Sequence, residues 1–68
     1  MKHAHYALGE SQLNDAVVSY ETDIGVLSGL SVFSDKDGPL VEGPDMEVDA
    51  LINRIKDDLG VEPVHVSN

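Results

Sequence analysis

Between Asp45 and Gly60 the apolar residues Val48, Leu51, Ile52, Ile55 and Leu59 recur at i, i+3, i+4, i+7 and i+11, a spacing that only an α-helix gathers onto one side. Such a stripe commits the chain to a fold in which this helix lies on an apolar surface built by the remaining residues. The ends of the helix are also written in the sequence. Asp45 is placed to act as N-cap behind Gly43-Pro44, Glu47 adds negative charge where the helix dipole favours it, and Gly60 suits the C-terminal cap. The opposite face is polar (Asp49, Asn53, Arg54, Lys56, Asp57, Asp58), with Arg54 set to offset Asp58 at i+4.

The surface under that helix reads as a sheet. Ala4, Tyr6 and Leu8 alternate with His3, His5 and Ala7, the period of a half-buried strand with both histidines toward solvent, and Gly9 ends it. Glu10 to Asp15 reads as a polar connection. Val18, Tyr20, Thr22 and Ile24 then alternate with Val17, Ser19, Glu21 and Asp23 as a second strand. A helix competes there, because Leu13, Ala16, Val17, Tyr20 and Ile24 also fall at helical spacing and Ser11 could cap it, but the β-branched and aromatic content favours strand. After a turn at Gly25, Val26 to Ser34 resumes as strand. Asp35-Lys36-Asp37-Gly38 is a hairpin signal whose Asp-Gly pair supplies positive backbone φ, and Leu40 to Glu42 returns. Beyond Gly60, Val64 and Val66 flank His65 as a final short strand that Pro63 confines to an edge. The expected fold class is α+β: a small antiparallel β-sheet of three to five strands packed against one amphipathic C-terminal helix, as a single domain over residues 1–68.

A chain of 68 residues removes only about 60 % of its unfolded surface from water. Small domains offset this with disulfides, metals or association, and the absence of Cys rules out disulfides and thiolate metal sites. Docking on a partner, or a homodimer, is the remaining route. The lack of Cys, of an apolar leader and of any apolar run long enough for a membrane span reads as a soluble, cytoplasmic protein.

Thirteen Asp and Glu face only Lys2, Lys36, Arg54 and Lys56, for a net charge of −9. Direct contact with nucleic acid or anionic membrane is disfavoured, because both need clustered Lys and Arg. A field of this sign steers a protein toward basic surfaces, which nucleic-acid-binding proteins commonly own. The densest cluster is Asp35, Asp37, Glu42, Asp45, Glu47 and Asp49, six acids within fifteen residues relieved only by Lys36. These six are the expected partner-binding residues.

Motifs for chemistry are few. Asp35, Asp37 and Gly38 have the look of a calcium loop, but with Gly38 at loop position 6 the first and twelfth positions fall on Phe33 and Pro44, which cannot ligate. No G-x-S-x-G nucleophile setting and no glycine-rich phosphate loop occurs. His3 and His5 share one side of a strand and, with a carboxylate or His65, could ligate a transition metal, but two exposed surface histidines are the simpler reading. No catalytic residue and no cofactor is expected. The expected function is that of a small acidic inhibitor or regulator of a basic, nucleic-acid-handling protein, similar in size and charge alone to phage-encoded inhibitors such as anti-CRISPR proteins. The alternatives are an accessory subunit or antitoxin-like partner that binds through an apolar sheet face (Val17, Val26, Phe33, Val41), and a metal carrier built on His3, His5 and His65.

Overall fold

A computed structural model describes residues 1–68. The elements are β1 (Lys2–His5), α1 (Glu10–Ile24), β2 (Ser31–Asp35), β3 (Gly38–Gly43), α2 (Asp45–Leu59) and β4 (His65–Ser67). The four strands form one antiparallel sheet in the order β2-β3-β1-β4, with both helices against one of its faces. The α+β class, the antiparallel sheet, the C-terminal helix and the last edge strand follow the sequence reading. A second helix is the main departure from it.

Residues 10–24 form α1, where strand was expected over 17–24 and a polar connection over 10–15. The helical register puts Leu13 and Val17, at i and i+4, into the core, with Ala16 and Tyr20 packed beside them. The strand register would have turned Val18 inward, and Val18 is instead 60 % exposed. Burial of a four-residue stripe outweighs a modest β-propensity. Ser11 is not the cap: it lies inside the helix, which starts after Gly9, whose amide donates to Gln12 Oε1 at 2.9 Å. Gly25, expected as a turn, closes α1 in the left-handed region (φ +77°), its amide donating to the Glu21 carbonyl.

In α2, Val48, Leu51 and Ile55 are fully buried, Ile52 packs against the core, and Leu59 is 53 % exposed. The residue at the N-cap is Pro44, not Asp45. The chain leaves β3 extended through Pro44, whose carbonyl accepts from the Val48 amide at 3.0 Å. Asp45 becomes the first helical residue, where its charge still suits the dipole.

The hairpin between β2 and β3 closes where expected, with Asp35 opposite Gly38. Its backbone differs in one respect: only Gly38 takes positive φ (+108°), while Asp37 does not. The Asp35 carboxylate accepts from the Asp37 amide at 2.8 Å and so organises the turn from its first residue.

The core lies between sheet and helices and comprises Ala4, Tyr6, Leu13, Val17, Val41, Val48, Leu51 and Ile55. Tyr6 is buried with its hydroxyl unpartnered, and burial pushes its pKa up to about 12. Val41, read as outward-facing, is wholly buried because it stands between Val32 and Ala4 in the core-facing row. Val17 is likewise in the core, and Val26 lies beyond α1 rather than on the sheet. The expected apolar docking patch of Val17, Val26, Phe33 and Val41 is therefore not assembled on one surface.

Candidate functional site

The register fixes what the uncovered face of the sheet presents. Phe33, Leu40, His5 and His65 stand directly opposite one another on β2, β3, β1 and β4, and Ser31, Glu42, His3 and Ser67 form the next row. All three histidines of the chain thus share one face. Alternation in β1 placed His3 and His5 there, and the pairing of β4 with β1 adds His65.

The expectation that both β1 histidines are solvent-exposed fails for His5. His5 is 7 % exposed although it sits on the open side of the sheet. Asp35 reaches it across β3: both carboxylate oxygens lie near His5 Nε2, at 3.0 and 3.1 Å. On the other side the His65 ring is tilted 43° against it, with centroids 6.1 Å apart. The second ring nitrogen, Nδ1, is buried without a hydrogen-bond partner. His3 is half-exposed, and its Nε2 is hydrogen-bonded to the Glu42 carboxylate directly across the strand pair.

Of the six acids expected to bind a partner, Asp35, Asp37 and Glu42 border this histidine face. Asp45, Glu47 and Asp49 do not. They occupy the first turns of α2, which lies against the other face of the sheet and begins beyond Gly43, the end of β3 opposite to the hairpin. The six therefore form two groups of three, each largely tied to its surroundings. Asp49 accepts from Lys2 Nζ at 2.8 Å, Asp45 lies 3.5 Å from the amino group of Met1, and Glu47 accepts from the Gly29 amide at 2.9 Å. Asp37 is the one whose carboxylate has no partner among the hydrogen bonds and ion pairs of the fold.

Cations elsewhere are spent within the fold as well. Arg54 bridges the helices, donating to Ser19 Oγ at 2.8 Å and pairing with Asp23, and it completes the expected i,i+4 pair with Asp58 at 3.6 Å. Lys56 lies 3.5 Å from Glu62. These exposed pairs contribute little to stability individually. Their consequence is that Lys36 at the hairpin is the only Lys or Arg that forms no ion pair.

Two carboxyls are held below their ordinary range by donors of the fold. For Asp35 the leading cause is the Asp37 backbone amide, followed by His5, and for Glu21 it is the Ser28 hydroxyl, then the Ser28 amide. The Asp49 carboxylate, by hydrogen bonding, raises the Lys2 ammonium. Folding lowers the two carboxyl values, so their stabilisation is present above the ordinary values of 3.8 for Asp35 and 4.5 for Glu21 and is lost as pH falls through the folded-state values. Asp35→Asn should therefore melt below the parent at neutral pH, with the gap closing as pH falls below the ordinary value of 3.8 and through the lowered folded-state value. Thermal unfolding of both proteins across that range measures it, and a gap that persists unchanged in acid would assign the loss to packing.

No protein-family model matches the chain, and neither does any curated protein or solved structure.

Proposed function

We propose that this is a non-catalytic binding domain that docks on a basic protein surface of the kind nucleic-acid-handling proteins present, as an inhibitor or regulator of its partner. One observation carries the reading: a net charge of −9 held on a fixed scaffold rather than in a tail, with acids on the hairpin and along both helices. An acid array of this kind resembles a polyanion in its long-range field, and complementary fields raise association rate and selectivity. The first turns of α2 are the half best suited to contact. Asp45 and Asp49 keep 57 % and 54 % of their side-chain surface exposed, the helix spaces them at i and i+4, and Glu47 between them is anchored to the Gly29 amide.

Capture of host proteins on the immobilised chain, eluted with a salt gradient, tests the reading. The expected partner is a basic nucleic-acid-binding protein that elutes below about 0.5 M salt, where exposed charges are largely screened. Its binding to a labelled duplex DNA should be competed by the chain, and the triple variant D45N/E47Q/D49N should compete at least about tenfold less well. Capture that survives molar salt, or competition unchanged in the triple variant, would remove the α2 acids from the contact.

A further inference from the structure

The histidine face carries a second capacity, which draws on the hairpin acids Asp35 and Asp37 but not on the α2 acids assigned to the partner contact. We infer that His5, Asp35 and Asp37, joined by His65, form a binding site for a divalent first-row transition-metal ion such as zinc. One ligand atom from each of His5, Asp35 and Asp37 lies within 4.8 Å of the others. Around such an ion, with ligands at about 2.1 Å, neighbouring ligand atoms are about 3.0 to 3.4 Å apart. The separations from His5 Nε2 to the two Asp35 oxygens, 3.0 and 3.1 Å, already fall there. Asp37 is exposed at the hairpin and contributes only its backbone amide to the turn, so its side chain is free to rotate the remaining distance.

Three further observations separate this cluster from a chance grouping of surface acids. His5 is a buried imidazole, its side chain 9 % exposed, held in place by Asp35 and therefore preorganised. Its Nδ1 is buried and unpartnered, so the ring's only polar tie is through Nε2, the nitrogen that faces the cluster. His65, which makes no side-chain hydrogen bond or ion pair, borders the same hollow as His5 and Asp37 and brings a second imidazole to a set otherwise rich in oxygen. On binding, the ion takes the place of the hydrogen bond between His5 Nε2 and Asp35: Nε2 ligates as the neutral imidazole with its one ring proton on Nδ1, and any second ring proton leaves to solvent. The imidazoles favour zinc, cobalt or nickel over calcium or magnesium, which prefer oxygen ligands throughout. The ligands come from β1, β4 and the β2–β3 hairpin, so the ion ties the edge strand to the hairpin across the sheet.

The test is a calorimetric titration with zinc and an absorption titration with cobalt near neutral pH. It uses the full chain with residues added before Met1, so that the free amine and His3 cannot form a chelate of their own. One ion should bind per chain. D37N and H65N, which remove exposed side chains, should each lose at least about tenfold in affinity, and H3Q should bind as the parent does. Absence of stoichiometric binding by the parent would overturn the site. So would parent-like binding by both D37N and H65N, or a loss in H3Q as large as in H65N, which would mark non-selective surface histidines.

Discussion

Leu51→Ala should lower the melting temperature by about 10 to 40 °C, since leucine-to-alanine changes in cores cost about 2 to 5 kcal/mol and each kcal/mol shifts a domain of this size by about 4 to 8 °C. Leu51 is fully buried in α2 and belongs to the single cluster that joins β1, β3 and both helices. Domains are stable by about 0.05 to 0.15 kcal/mol per residue, or roughly 3 to 10 kcal/mol for 68 residues, so this one truncation removes a large fraction of the total. No disulfide limits the unfolded ensemble.

Leu59→Ala provides the contrast. Leu59 stands on the same sequence stripe, but the helix runs past the edge of the core there and leaves it 53 % exposed. Its truncation should change stability by less than about 1 kcal/mol, because little burial is lost and alanine is the better helix former. Urea unfolding of the two variants, followed by circular dichroism, measures the difference. Equal losses would mean that the stripe is buried along its whole length, against a partner copy or another chain.

That contrast also marks what the sequence could reveal. The period of Val48, Leu51, Ile52, Ile55 and Leu59 identified α2, and the Asp37-Gly38 pair located the hairpin, because both signals are local. Residues 10–24 carried two periods at once, strand through Val18, Tyr20, Thr22 and Ile24 and helix through Leu13, Ala16, Val17 and Tyr20. Tertiary packing chose between them. The burial of His5 was beyond reach for another reason: it depends on Asp35, thirty residues away, crossing β3, and on the β1–β4 register that brings His65 alongside. The six acids were legible as a cluster in sequence, but Asp35 and Asp37 lie at the end of β3 remote from α2, and Glu42, beside Gly43, faces the open side of the sheet while α2 lies on the other. His65 was legible with His3 and His5, because a residue flanked by Val64 and Val66 on a strand faces away from them, and so onto the open side of a sheet whose other side carries the helices.

Gly43→Ala should destabilise the domain by about 1 to 3 kcal/mol, although the position looks tolerant by backbone conformation. Gly43 ends β3, is buried, and is not among the positive-φ glycines, so alanine meets no φ penalty there. The obstacle is close approach. A Cβ at this position would lie 2.9 Å from the Gly29 carbonyl oxygen and 2.9 Å from Leu30 Cδ2, and 3.3 Å from Leu30 Cα. The leucine methyl can move, but the carbonyl moves only if the Gly29–Leu30 backbone does. Moving that backbone also strains the hydrogen bond from the Gly29 amide to Glu47, 2.9 Å in the folded chain. Gly25 gives the opposite case, with φ at +77° and open space around its Cβ position. Asparagine, which tolerates the left-handed region, should recover part of the loss that alanine causes at Gly25, whereas at Gly43 asparagine should be worse than alanine because it is larger. Urea midpoints of the four variants test this ordering, and partial rescue by asparagine at Gly43 would show that conformation rather than contact requires glycine there.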